Sequence, residues 1–186
     1  MVEKVKIAVI TQNDIYAFPK NFKLLCDAEE IEVTELIVIN APGSLENKRL
    51  LFFQGFGVLQ IIKMAVVTLV YQSRSFVAGL IKFLAKPHWL DLKGMCTWYH
   101  IPMREEQDIN DATLLKRLKG SDLDVIISFS APSIFKPDLL NLPRYGCINL
   151  HCSALPSYAG VMPSFWVLFN DEKQAGMSVH LMDSKI

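Results

Sequence analysis

The chain has 186 residues, of which 51% are hydrophobic and 20% are charged, and this composition is typical of a globular protein with a buried core. Its formal net charge is zero, which disfavours nucleic-acid binding through bulk charge but leaves a local basic patch open.

The cysteines and the first residues narrow the class of protein further. The four cysteines, Cys26, Cys96, Cys147 and Cys152, form no CxxC pair, so a structural zinc site is disfavoured and free thiols in or near a core are expected. The first residues lack the apolar region of a secretory signal, so we expect a cytoplasmic protein.

The first 43 residues predict a strand, a helix and a second strand. Residues 6–10 are continuously apolar, as in a strand that is buried on both faces of a parallel sheet. Residues 11–14 form a polar turn without a GxGxxG pattern, so a dinucleotide site is not supported. A helix over 18–30 and a strand over 31–40 follow, and Ala41-Pro42-Gly43 ends the strand.

Residues 44–84 are unusually apolar. Few polar side chains occur between 50 and 71, but Gly55, Gly57 and Lys63 argue against a membrane span. We therefore expect a helix that packs on the sheet, and a helix that contacts a partner or a membrane surface is the alternative. A second helix is predicted over 77–84, and three aromatic residues should serve as packing: Trp89, Trp98 and Tyr99.

The second half continues the alternation of strands and helices. Short or buried strands are predicted over 100–102, 124–129 and 176–182. Helices are predicted from a cap at Asn110 or Asp111 to Lys119, from Pro137 onwards, and over 163–170. These spacings predict one α/β domain over 1–186, with a doubly wound and mostly parallel sheet.

The most informative stretch is 146–158, which begins as an apolar strand. Asn149 and His151 stand two residues apart, so their side chains should project from the same face of the strand end, and Leu150 should point to the other face. An amide donor and a titratable imidazole at this place suit acyl chemistry. Cys152 should point away from them, which argues against a thiol nucleophile.

The run 147–160, CINLHCSALPSYAG, resembles the signature of the 10-formyltetrahydrofolate-dependent formyltransferases. That family includes methionyl-tRNA formyltransferase, glycinamide ribonucleotide formyltransferase and the sugar N-formyltransferases, and its pattern is Asn-x-His followed by Ser-Leu-Leu-Pro, an aromatic residue and a glycine. The resemblance continues from Pro163 to His180 and covers about the last sixty residues well. It implies a Rossmann-like formyltransferase domain of one-carbon metabolism.

The resemblance also implies a co-substrate, 10-formyltetrahydrofolate, and roles for named residues without any metal. Asn149 and His151 would be catalytic and would stabilise the tetrahedral oxyanion that forms when an amine attacks the formyl carbon. The tetrahydrofolate would contact three segments, with these residues: Pro132, Ser133, Ile134 and Phe135; Ser153, Ala154, Leu155 and Pro156; and the loop that starts near Asp183.

Several positions depart from the family pattern. Ala154 replaces a leucine, and residues 11–14 lack the glycine-rich loop that the glycinamide ribonucleotide enzymes use to bind phosphate. The family's catalytic aspartate is expected at the position after Ile186, so we expect the sequence to be a piece of a longer protein that is truncated at its C-terminal end. Asp183 is not assigned that role, and His180 is expected to be a packed strand residue.

Two functions follow from these expectations. The first is an N-formyltransferase that acts on a primary amine of an aminoacyl-tRNA, an amino sugar nucleotide or a similar acceptor. The zero net charge does not support a tRNA acceptor but leaves it open. The alternative is a non-catalytic relative that binds folate or a partner, with residues 50–71 as the contact segment.

Overall fold

A computed structural model describes residues 3–12, 18–40, 57–80, 92–160 and 162–184. Its six strands form one sheet in the order β3-β2-β1-β4-β5-β6. The first five strands run parallel and β6 pairs antiparallel with β5. The strands are β1 (Val5–Gln12), β2 (Ile31–Ile39), β3 (Met103–Glu106), β4 (Val125–Phe129), β5 (Cys147–His151) and β6 (Ser178–Leu181). The predicted α/β fold with a mostly parallel sheet is confirmed.

The helices of the described residues lie between these strands in the chain. They are α1 (Phe18–Asp27), α2 (Val58–Leu80), α3 (Leu92–Trp98), α4 (Ala112–Lys119), α5 (Pro137–Leu140) and α6 (Pro163–Phe169). Asp111 is the N-cap of α4, and its carboxylate accepts hydrogen bonds from the N–H groups of Thr113 and Leu114. The predicted cap is therefore confirmed, with Asp111 rather than Asn110 in that position.

Alternating side chains of the central strand feed two separate cores. Ala8 and Ile10 of β1 pack with the buried leucines of α4 and α5, namely Leu114, Leu118, Leu139 and Leu140. Ile7 and Val9 point to the other face, where Phe18 and Phe22 of α1 and three residues of α3 cover them. The period of two along β1 thus makes a sheet with a helix layer on each face.

The structure corrects four element predictions. Residues 11–12, which were expected in a polar turn, are the last two residues of β1. The strand expected over 100–102 begins at Met103, because His100 has a positive φ of 56° that interrupts extended backbone. The helix expected over 77–84 is not separate, since residues 77–80 are the last turn of α2. Helix α3 was not predicted, although it buries Leu92, Met95 and Cys96.

Helix α2 differs most from its prediction. Its apolar side chains Val58, Leu59 and Leu69 are 75%, 67% and 70% exposed, so this part of the helix is not packed on the sheet as expected. Among the described helices, none combines the length and the apolar character that a bilayer crossing requires. The predictions for residues 13–14, 41–56 and 81–91, which include Trp89, lie outside the described residues.

Candidate functional site

A cleft of about 680 Å³ lies at the carboxyl ends of β1, β4 and β5. The strand order reverses here: β2 and β3 follow β1 on one side of it, and the chain then crosses to β4 on the other side. Open α/β sheets bind ligands at this position. The cleft is lined by Gln12, by Ser130, Ala131 and Pro132, by residues 149–152, by Ala159 and Gly160, and by residues 162–165.

Asn149 and His151 both line this cleft, as predicted from their spacing. They share the face of β5 to which Cys147 belongs, and Cys147 is buried in the core on that side of the sheet. Leu150 packs against the opposite core. The strand therefore fixes the backbone of the pair from both faces, while both side chains stay half-buried at the edge of the core.

The imidazole of His151 is held by the loop that follows it. Its Nε2 lies 2.9 Å from the carbonyl oxygen of Tyr158, which can only accept, so Nε2 carries a proton. The buried hydroxyl of Ser153 donates to the carbonyl oxygens of Ser157 and Tyr158, which anchors the same loop. In neutral His151 the other nitrogen, Nδ1, is then the free base.

The loop is also tied at its outer end. Tyr158 has a positive φ of 54°. Its hydroxyl donates to Glu172 at 2.7 Å and accepts from the amide of Asn170 at 3.2 Å. The hydrogen bond to Glu172 raises the pKa of Tyr158. These bonds connect the loop to the end of α6 and help to hold the Tyr158 carbonyl in place.

Asn149 has a different partner, His180, which lies directly opposite on β6. Asn149 Nδ2 is 3.3 Å from His180 Nε2, and His180 Nδ1 is 3.0 Å from the carbonyl oxygen of Leu181. His180 was expected to be a packed strand residue, but it is half-buried and bonded to a site residue. The sequence position alone did not indicate this contact, because it depends on the antiparallel register of β5 and β6.

Strand β6 also clamps the turn 153–156. Ser178 Oγ donates to the carbonyl of Ser153 at 2.8 Å and accepts the N–H of Leu155 at 3.0 Å. The Leu155–Pro156 peptide bond is cis, and Pro156 is exposed. A Cβ added to Gly176 would lie 2.6 Å from the Cβ of Ala154, so glycine is required for this close approach.

The residues expected to contact folate fall into different environments. Pro132 lines the cleft, Ser133 is half-buried and Ile134 is 73% exposed. By contrast, the side chain of Phe135 is buried in the sheet core, and that of Ser153 is fully buried. These two side chains have structural contacts and do not present a surface to a ligand. Asp183, Ala154 and Pro156 are exposed, and Leu155 is half-buried.

Sequence reasoning missed much of the opposite wall of the cleft. Gln12 ends β1 on the face of Ala8 and Ile10, so the period of two along that strand already placed it on the side of Asn149. Cys152 was expected to point away, but it lines the cleft because β5 ends at His151 and strand alternation no longer applies beyond it. No sequence pattern indicated that Met162 and Phe165 would line the cleft, because their placement depends on the path of the loop after β5.

The cleft lining that the structure describes carries no fixed charge, since it contains no Asp, Glu, Lys or Arg. The described residues also include no group of three His, Cys, Asp or Glu that could hold a metal ion. Burial raises the pKa of Cys147, beside the site, to about 12, so this thiol stays protonated and unreactive. A partly apolar cleft of this kind suits a flat heterocycle.

Comparisons with known proteins identify the family. The profile of the family described as "Formyl transferase" matches residues 64–186. Over 84 residues the chain is 39% identical to a methionyl-tRNA formyltransferase of Pelotomaculum thermopropionicum, a match that covers 45% of this chain and 27% of that protein. It is also 39% identical over 88 residues to the bifunctional polymyxin resistance protein ArnA of Wigglesworthia glossinidia brevipalpis, with 47% of this chain and 14% of that protein covered.

Solved structures agree in fold at low sequence identity. A glycinamide ribonucleotide transformylase from Geobacillus kaustophilus superposes with a TM-score of 0.59 at 16% identity, covering 99% of this chain and 77% of that one. A formyltetrahydrofolate deformylase from Pseudomonas syringae gives 0.60 at 17% identity, covering 99% and 48%. The matches to the curated relatives above span about a quarter of their length or less. Because the family profile matches more than half of the chain, the chain belongs to the formyl transferase family.

Proposed function

We propose that the full-length protein transfers a formyl group from 10-formyltetrahydrofolate to a primary amine. The observation that supports this most is the placement of Asn149 and His151 on one face of a strand end, inside a cleft that Pro132 also lines. The volume of the cleft, about 680 Å³, lies within the range of small-molecule sites. Family membership supports the formyl group as the group that is moved.

In this reaction the amine nitrogen attacks the formyl carbon and the carbonyl oxygen becomes an oxyanion. Asn149 can donate one amide N–H to that oxygen, since the amide has two N–H groups and His180 takes only one. A protonated His151 can donate from Nδ1 while Nε2 stays on Tyr158. The bond from carbon to folate N10 then breaks, N10 takes a proton, and the amine loses one, giving a formamide and tetrahydrofolate.

His151 needs a carboxylate partner for its proton transfers, and the family resemblance implies an aspartate at the position after Ile186. The test is therefore made on the full-length protein and not on residues 1–186 alone. In that protein the aspartate is proposed to orient His151 and to help move the proton from the attacking amine to N10.

The acceptor is proposed to be an aminoacyl-tRNA, an amino sugar nucleotide or a smaller primary amine. The name of the Pelotomaculum relative favours the first of these. The full-length protein is incubated with 10-formyltetrahydrofolate and each amine, and tetrahydrofolate and formylated amine are both measured. Tetrahydrofolate that appears with free formate, and without formylated amine, would indicate hydrolysis instead. Folate binding without turnover of any amine would indicate a non-catalytic relative.

Asn149→Ala and His151→Ala are the first variants to test. Each removes a donor to the developing oxyanion, and such a loss lowers kcat by about 10²–10³-fold. His100→Asn is the control, since His100 is exposed, lies outside the cleft lining and has a positive φ that asparagine tolerates. Full turnover in either Ala variant would rule out the assigned role of that residue.

A further inference from the structure

The two imidazoles of the site have different partners, and His180 is the one without a place in the proposed reaction. His180 Nδ1 faces the carbonyl oxygen of Leu181, an atom that can only accept a hydrogen bond, so Nδ1 carries the proton. In a neutral imidazole the remaining nitrogen, Nε2, is then an acceptor. That acceptor faces Asn149 Nδ2, which can only donate. The two hydrogen bonds therefore agree on one tautomer of His180.

The same chain of bonds determines which way the Asn149 amide points. With Nδ2 turned towards His180, the second N–H of the amide and its Oδ1 are left for the cleft. If His180 instead presented an N–H at Nε2, Asn149 would have to rotate its amide to offer Oδ1. Its N–H groups would then turn away from their present direction. An oxyanion requires a donor at a defined position, and the contact with His180 defines where the free N–H of Asn149 lies.

The register of the sheet makes this contact a built feature of the fold. Asn149 and His180 are directly opposite in the antiparallel β5–β6 pair, so their side chains lie on the same face. The neighbouring pair on that face, His151 and Ser178, has the same relation, and Ser178 holds the turn 153–156. Strand β6 thus supports the site at two successive positions.

We propose that His180 is a positioning residue, which as a neutral Nδ1–H imidazole fixes the amide of Asn149 with a donor directed to the reacting carbonyl oxygen. The proposal rests on the proposed function for its catalytic consequence. The hydrogen-bonding arrangement itself can be tested without turnover, so failure of one can be told from failure of the other.

The first test is the tautomer of His180 in the full-length protein. Long-range ¹H–¹⁵N correlation spectra of ¹⁵N-histidine-labelled protein distinguish a protonated ring nitrogen from an unprotonated one. We expect His180 to show a protonated Nδ1 and an unprotonated Nε2, and we expect the Nε2 signal to shift in Asn149→Ala. An Nε2–H tautomer, or a signal that does not respond to Asn149→Ala, would overturn the proposal whether or not the protein transfers formyl groups.

The second test measures kinetics on the amine that the screen identifies. Removing one hydrogen bond that orients a catalytic group lowers kcat by about tenfold, and we expect this for His180→Ala with little change in the KM for folate. His180→Gln should restore most of kcat, because its Oε1 can accept the same N–H. Val179→Ala is the control, since Val179 is on the same strand and 64% exposed.

A double mutant separates positioning from general destabilisation. In an Asn149→Ala background there is no amide to orient, so His180→Ala should change the residual rate less than about twofold. A full additive loss would contradict the proposal, as would a failure of His180→Gln to exceed His180→Ala. Melting temperatures of all variants identify any that do not fold, and for these the tautomer measurement on the unaltered protein decides.

Discussion

At the scale of residues, the site depends on close contacts between the turn after β5 and strand β6. The catalytic candidates Asn149 and His151 are each bonded to a group from another segment, His180 and the Tyr158 carbonyl. These partners fix the orientation of both side chains before a ligand arrives, and such preorganisation is where much of the electrostatic stabilisation of a transition state originates.

Gly176 tests how tightly the turn is clamped. In Gly176→Ala the new Cβ would meet the Cβ of Ala154 at 2.6 Å and its backbone nitrogen at 2.9 Å, so backbone must move. Forcing such a shift costs about 1–3 kcal/mol, and we expect the urea midpoint to fall accordingly. Gly160→Ala is the control, since its Cβ would meet no atom within 4 Å. Equal stability of the two variants would contradict the clamp.

Part of the site was predictable from the chain alone. The spacing of Asn149 and His151 placed both on one face, because strand alternation is a local property. Gln12 could have been found in the same way. The contact of Asn149 with His180 could not, since it depends on the pairing register of two strands 31 residues apart. The burial of Phe135 depends on the path of the loop after β4, which local sequence patterns do not determine.

At the scale of elements, helix α4 was predicted correctly because it carries local signals at both ends. Helix α4 begins at Asp111, whose carboxylate accepts from Thr113 and Leu114, and its last turn holds Lys116, Arg117 and Lys119 beside Gly120. The sequence of helix α2 does not indicate which element the helix packs against. Its apolar residues predicted burial, but periodicity along one helix does not identify a neighbour, and the described side chains are largely exposed.

Asp111 gives a prediction about pH. The N–H groups of Leu114 and Thr113 stabilise its ionised form and hold its pKa below the ordinary value of 3.8. A carboxyl whose pKa is lower in the folded state adds stability above its unfolded pKa and loses it as pH falls through the folded pKa. Asp111→Ala should therefore lower the melting temperature at pH 7 and differ less from the unaltered protein at pH 3.

Asn is the matched replacement at this cap. Asn caps helices about as well as Asp but does not ionise, so Asp111→Asn should keep most of the stability at pH 7 and remove this part of the pH dependence. The measurement is thermal unfolding between pH 3 and pH 7. A difference between Asp111→Ala and the unaltered protein that stays constant over that range would contradict the lowered pKa.

At the scale of the whole molecule, the alternation of apolar strands with helices predicted the fold class. The position of the cleft became clear only from the order of the strands in the sheet. The parallel core β3-β2-β1-β4-β5 has its reversal between β1 and β4, and the cleft opens there. The antiparallel β6 then brings His180 and Ser178 to the site. The position of the cleft is thus a consequence of topology, and the chemistry is added by the residues that end the strands.

Phe22 is the best probe of the core on the α1 face of the sheet. Phe22 is fully buried and its ring stacks on Phe18 at 5.3 Å between centroids. Phe18 in turn contacts Phe129 at the end of β4, close to the loop that enters the cleft.

Removing the Phe22 ring leaves a cavity whose cost is about 3–5 kcal/mol, a large share of the total stability of a domain. We expect Phe22→Ala to lower the urea midpoint strongly. Leu24→Ala, two residues along the same helix at a position that is 69% exposed, should change stability by less than about 0.5 kcal/mol. Comparable losses of stability in the two variants would contradict the packing of the Phe22 face of α1 on the sheet.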